Sequence, residues 1–183
     1  MRYEIENIGI SICKEAIEYR SKFETFEQAW NECPRGDWML CIASRLVDIR
    51  LLTLAKGHCA NTVRHLMKDK RSVQAVDAAI AFGEGKITLK ELKKYAAASI
   101  APVYAITFAF KKAEISAAYA TDVAAYTAEI SADAKNVAIY AGYATDLEIK
   151  NQKETANICR KYLTKEVFKN IEKYKIKESC ANF

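Results

Sequence analysis

The chain has 183 residues, 51% of them hydrophobic and 28% charged, with only two prolines and six glycines. It is too apolar for a disordered protein and too poor in Pro and Gly for a collagen-like or linker-rich one. Its length suits one domain, or two small ones, with a self-sufficient core, and the scarcity of Gly and Pro favours a single helical domain over 1–183.

The net charge of +5 is unevenly spread. Residues 1–60 carry 8 basic and 9 acidic side chains, 61–112 carry 10 and 4, 113–149 carry 1 and 6, and 150–183 carry 9 and 4. An acidic segment thus lies between two basic ones. Packed helices of opposite charge attract each other or an anionic partner, although ordinary solvated faces give the same pattern.

The start, Met1-Arg2-Tyr3-Glu4-Ile5-Glu6, lacks the apolar region of a signal peptide. The best apolar run, Ile100 to Phe110, ends at Lys111-Lys112, short of the ~18 residues a span requires. A cytoplasmic protein is expected, with no membrane partner. The six cysteines, at 13, 33, 41, 59, 159 and 180, form no Cys-x-x-Cys pair and match no zinc spacing. Free, buried thiols are the expectation.

Apolar spacing and caps predict helices throughout. Ser11 to Arg20 sets Ile12, Ala16 and Tyr19, with Cys13 and Ile17, on one side. Thr25 and Gln28 form a capping box that opens a helix through Trp30 and Cys33. Pro34 and Gly36 end it, and Asp37 is placed to cap the next, a nearly all-apolar helix through Leu46. Leu51 to Met67 carries the stripe Leu52, Ala55, Cys59, Val63 and Leu66. Ser72 is read as the cap of Val73 to Phe82, stopped by Gly83 and Gly85. A second capping box, Thr88 with Glu91, opens a helix that Pro102 kinks or ends.

Residues 113–146 include 12 alanines. Tyr119, Tyr126 and Tyr140 recur on a heptad, and Asp122, Glu129, Asn136 and Tyr143 form a second row. This reads as one long helix, or two with a break near Ser131 or Gly142, whose alanines admit close neighbours. Tyr-Ala-Thr-Asp occurs at 119–122 and again at 143–146, too little for a repeat of fixed period. After Lys150 the chain turns basic and helical, with a terminal amphipathic helix over 164–176 and a frayed tail over 177–183. No strand-like alternation occurs. The expected fold is all-α, a compact bundle of about six to eight helices.

Few residues carry chemistry by pattern. Arg35, in the Pro-Arg-Gly turn, sits beside a helix N-terminus, where backbone N–H groups and a guanidinium act together on an anion. Asp37 opposes that, and the plain alternative is a capping Asp37, a core Trp38 and an exposed Arg35. His58 and His65, the two histidines, share a helix face with Asn61 but lack the i, i+4 spacing of a metal pair. With Arg64 nearby, that face suits a polar groove wall, or histidines that serve only as structural hydrogen-bonders. Gly83-Glu84-Gly85-Lys86 lacks Walker spacing and reads as a helix stop. Hydrolase elbows and His-Glu-x-x-His are absent, and the carboxylates of 122–146 have no histidine to complete a di-iron set. No catalytic residue, metal or cofactor is expected. Lys68-Asp69-Lys70-Arg71 is too short to imply nucleic acid.

Two runs carry a resemblance. Cys13-Lys-Glu-Ala-Ile-Glu-Tyr19, followed by Glu27-Gln-Ala-Trp30-Asn-Glu-Cys33-Pro-Arg35-Gly-Asp37-Trp38-Met-Leu40, resembles the Imm-five-like immunity proteins of bacteria and phages. The Leu51 to Leu66 helix, Val76-Asp-Ala-Ala-Ile-Ala-Phe-Gly-Glu-Gly85 and the stretch ending in Ala156-Asn-Ile-Cys-Arg160-Lys-Tyr162 look like it too, so that the likeness covers residues 11–163. Trp30 to Trp38 is its most specific part. Cys41 departs from it, standing where the family often has a second tryptophan. The resemblance implies a non-catalytic protein that neutralises a toxin or defence component.

Two binding modes follow. In the first, Tyr119, Asp122, Tyr126, Glu129 and Tyr140 meet a basic protein toxin or defence effector, with the tyrosines as anchors. In the second, Arg35, Trp38, Arg45, His58 and Arg64, with Asp37 beside them in the candidate ligand-binding set, line a helical pocket that sequesters an anionic nucleotide signal. A signal-degrading enzyme is the weakest reading, and a homo-oligomer is compatible with either mode.

Overall fold

The computed structural model describes residues 14–67, 69–106 and 148–174. Among them are seven α-helices and no strand, in a compact bundle. The helices are α1 (Lys14–Arg20), α2 (Phe26–Glu32), α3 (Gly36–Leu46), α4 (Ile49–Asn61), α5 (Lys70–Gly83), α6 (Leu89–Ile106) and α7 (Glu148–Ile171). Short 3-10 turns at Arg64–Leu66 and Glu172–Tyr174 follow α4 and α7. The expected Ala/Tyr-rich helix, the terminal tail and Ser11 to Cys13 lie outside the described residues.

Both capping boxes form. The Thr25 hydroxyl accepts from the Gln28 amide, and the Gln28 side chain accepts from the Thr25 amide, each at 3.1 Å. At the start of α6, Glu91 accepts from the Thr88 amide at 2.7 Å and Thr88 accepts from the Glu91 amide at 3.3 Å. Asp48 and Asp69 cap α4 and α5 through their carboxylates. Such caps satisfy N–H groups that have no partner within the helix. The cap of α5 is therefore Asp69, three residues ahead of the expected Ser72, which is buried in the first turn. Helix α6 continues past Pro102 to Ile106. The basic stretch after Lys150 and the terminal segment from Thr164 are one helix of 24 residues; no glycine or proline interrupts it.

Helix α7 organises the bundle. The Cys159 thiol donates to the Gly36 carbonyl at 3.7 Å, and Asn170 donates to the Leu46 carbonyl at 2.7 Å, so α7 runs parallel to α3. Asn151 donates to Thr62 at 2.9 Å while the Cys59 thiol points at the Thr155 carbonyl, 3.9 Å away, so α7 runs antiparallel to α4. Its stripe of Ala156, Cys159, Leu163, Val167 and Ile171 is completely buried. It meets Leu40 and Ala43 of α3 and Leu52, Ala55 and Cys59 of α4 in one core cluster. Full burial of each leucine or isoleucine there stabilises the fold by about 1.5–3 kcal/mol.

A second, smaller cluster joins α5 to α6 through Ala75, Ala78, Ala79, Phe82, Leu92 and Ala96. Helices α4 and α5 are antiparallel and close, because Gly83 abuts Leu54 where a Cβ would overlap that residue's backbone. Of the predicted stripe, Leu52, Ala55 and Cys59 on α4 and Val63 just past its end are buried, while Leu66 lies on the following 3-10 turn and is half-buried. On α1, Ala16 is buried but Ile17 is 45% exposed, so the packed side is narrower than expected.

Candidate functional site

The site grows out of the loop between α2 and α3. Helix α2 ends at Glu32, and Cys33-Pro34-Arg35 crosses to Gly36, the first residue of α3. Side chains of α7 hold this loop from below. Arg160 donates to the Cys33 carbonyl at 2.7 Å, and the Cys159 thiol reaches the Gly36 carbonyl. The Cys33 thiol turns back to the Arg35 carbonyl at 3.4 Å. Gly36 is obligatory in this packing, since a Cβ would overlap the side chain and backbone of Thr155. One turn along α7, Thr164 accepts from the Trp30 indole at 2.9 Å, fixing α2 to the same helix.

On this base the Arg35 guanidinium makes a forked pair with Asp37, with Nε to Oδ1 at 2.8 Å and Nη2 to Oδ2 at 2.7 Å. Asp37 is 4% exposed, so its carboxylate fixes the guanidinium from inside the protein. Two parallel hydrogen bonds specify orientation as well as energy. The guanidinium lies over the Trp38 ring, 4.8 Å from its centroid. Tyr19 of α1 meets the other partner of this stack, its ring 5.6 Å from that of Trp38. Arg35, Trp38 and Tyr19 are each half-buried. The result is a preset cationic and aromatic ridge on a rigid seat.

This geometry corrects the expected cap. Arg35 occupies the cap position of α3 without its side chain capping the helix's backbone N–H groups, and Asp37 lies inside the first turn. Its carboxylate therefore turns to Arg35. The cause is tertiary, since Gly36 must enter the helix where it packs on Thr155. Asp37 still benefits from the partial positive charge of the helix start.

The other predicted ligand residues are elsewhere. Arg64 leaves the turn after α4 to form a forked pair with both carboxylate oxygens of Asp77 on α5, Nη2 to Oδ2 at 2.9 Å. His58 stacks on Tyr162 of α7, ring centroids 4.6 Å apart and planes within 7°. Burial lowers the His58 pKa below its usual 6.5, and the neighbouring Lys161 ammonium adds to this against an opposing pull from Glu84. Lys161 itself lies 5.0 Å from the Tyr162 centroid. Arg45 is exposed on the last turn of α3, ten residues from Arg35 and so roughly 15 Å along the axis. His65 lies on the 3-10 turn, so the continuous His58, Asn61, His65 face ends with α4 at Asn61.

The structure thus joins Arg35, Asp37 and Trp38, engages Arg64 and His58 with other residues, and sets Arg45 apart. The candidate partner residues Tyr119, Asp122, Tyr126, Glu129 and Tyr140 lie outside the described residues. Sequence reasoning missed Tyr19 as a member of the ridge, although it stood on the expected packed side of α1. It also missed Arg160, which has no local signal, and Asp77 and Tyr162 as partners of Arg64 and His58. Among the described residues no group of three or more His, Cys, Asp or Glu side chains is placed to hold a metal ion, and no helix is long and apolar enough to cross a membrane. No family model, curated protein or solved structure matches the chain.

Proposed function

We propose that the chain is a non-catalytic binding protein of the immunity or counter-defence type, which neutralises a protein toxin or defence effector by tight binding. The observation that carries this reading is the Arg35–Trp38 stack, held by the buried Asp37 and flanked by Tyr19. Arg, Trp and Tyr dominate the energetics of protein interfaces. A guanidinium already fixed by a fork loses little freedom on binding, which favours affinity. The same residues fall in the part of the sequence, Trp30 to Trp38, that most specifically resembles the Imm-five-like immunity proteins. The tyrosines and carboxylates of residues 119–140 are proposed as a second contact region for the same class of partner.

A nucleotide-sequestering pocket draws less support from the geometry. The guanidinium groups of Arg35 and Arg64 already face carboxylates of their own chain, so a phosphate would have to displace Asp37 or Asp77. Co-expression with a panel of protein toxins and defence effectors tests the proposal. Growth rescue with a co-purifying complex supports it. A thermal shift with cyclic or ADP-ribose-type nucleotides, without protein binding at micromolar concentration, would reverse the order of the two readings.

A further inference from the structure

The ridge extends beyond Tyr19. Phe23, in the turn between α1 and α2, lies 5.1 Å from Tyr19, centroid to centroid, with the ring planes 51° apart. Tyr19 stands in the same relation to Trp38, at 5.6 Å and 51°. The Arg35 guanidinium follows, 4.8 Å from the Trp38 centroid. All four groups are half-buried, so each keeps part of its surface in solvent. Rings tilted in this way meet as shallow wedges rather than as a flat sheet. Two polar tips on the strip are also unused. Among the described residues, neither the Tyr19 hydroxyl nor the Trp38 indole N–H makes a hydrogen bond, whereas the indole of the buried Trp30 donates to Thr164 at 2.9 Å. Burial, and after it the nearby Cys33 and Glu32, raise the Tyr19 pKa above its usual 10.0, so this hydroxyl is a donor at neutral pH.

Such a strip fits a ligand with compact apolar rings and unpaired carbonyl groups. A polyproline II segment has both, because its backbone makes no internal hydrogen bonds. An α-helical segment spends its carbonyls within itself. Polyproline II advances about 3.1 Å per residue, so an X-Pro dipeptide covers about 6 Å, close to the step between successive rings of the strip. The path from Phe23 to Arg35 spans at most about five such residues. We propose that Phe23, Tyr19, Trp38 and Arg35 dock a proline-rich segment of the partner protein in polyproline II form. This docking mode rests on the ridge being a protein-binding surface, as proposed above, and specifies what that surface holds. Pyrrolidine rings fill the wedges between Phe23 and Tyr19 and between Tyr19 and Trp38. The Tyr19 hydroxyl and the Trp38 indole N–H donate to carbonyls of the segment. Arg35, fixed by Asp37, closes the end of the strip. Both surfaces are preformed, so little conformational freedom is lost on docking.

The test is a titration of the isotope-labelled full-length chain with a decapeptide of proline, followed by NMR, with a glycine-serine peptide of equal length as control. The expected result is a saturable shift of the Trp38 indole N–H peak with a Kd below about 1 mM, an unmoved Trp30 indole peak and no response to the control. W38F identifies the Trp38 peak and removes one donor, and Y19F removes the other. Each should weaken binding roughly three- to tenfold, read on backbone amide peaks. Should W38F fail to fold, Y19F carries the same readout. No shift of the Trp38 peak, an equal response to the glycine-serine peptide, or unchanged affinity in the folded variants overturns the proposal. A protein partner whose binding still depends on Trp38 would then leave the binding role of the ridge standing and remove only the proline-rich contact.

Discussion

Asp37 holds Arg35 from beneath: a carboxylate buried in the first turn of α3 pairs through both oxygens with a guanidinium two residues before it. The pair makes a surface arginine part of the scaffold and lays it over Trp38. D37A leaves the guanidinium without its seat. We expect a loss of about 1–3 kcal/mol in stability from the broken charge-assisted hydrogen bonds, read by urea unfolding. Partner binding should weaken as well, since Arg35 no longer stays over the indole. A variant with unchanged unfolding and unchanged binding would show that the fork is incidental.

Gly36 provides a second test, on the seat itself. G36A drives a methyl group into Thr155 and is expected to cost about 1–3 kcal/mol through overpacking. T155A relieves the side-chain part of the overlap but not the backbone part. The double variant G36A/T155A should therefore recover part of the loss, a coupling that a double-mutant cycle of denaturation midpoints measures. Simple additivity would place Gly36 away from Thr155 in solution.

His58 gives a pH signature. Its pKa is lowered in the folded protein, first by burial and then by Lys161, so the fold favours the neutral ring. That contribution is fully present above the unfolded value of 6.5 and is lost as pH falls through the lower folded value. Stability measured from neutral pH down to about pH 5 should decline with a component that H58Q removes. An identical decline in H58Q would assign it to other groups.

Thiol reactivity follows burial. The Cys33 pKa is pushed up to about 11, chiefly by burial, whereas Cys41 is half-buried on α3. Iodoacetamide at neutral pH should modify Cys41 well before Cys33 in the native protein, because the thiolate is the reacting species. Mass spectrometry of tryptic peptides reads the order, and equal rates would contradict the buried loop.

Local chemistry made much of this fold legible. Thr25 with Gln28 and Thr88 with Glu91 mark helix starts because their partners are three residues apart, and the structure closes both boxes. Leu52, Ala55, Cys59 and Val63 recur at helical spacing and are buried. Asp37 does not cap α3 as its position in the sequence predicts, because what sets the helix start is not local. Gly36 meets α7, whose Cys159 is 123 residues further along the chain. The candidate ligand residues were scattered for the same reason. Arg64 finds Asp77 and His58 finds Tyr162 across helix pairs, and neither spacing leaves a pattern in the sequence. Arg35 and Trp38 were legible as neighbours, but the buried fork that makes them one surface was not.

Above all, the ridge of Arg35, Trp38 and Tyr19 is proposed to bind a protein partner. Titration calorimetry of the wild-type chain and W38A with a toxin or effector recovered by co-purification tests it most directly, with circular dichroism confirming that both are folded. A hot-spot tryptophan predicts a Kd at least about 30-fold weaker for W38A. An equal Kd for the two folded proteins would contradict the account.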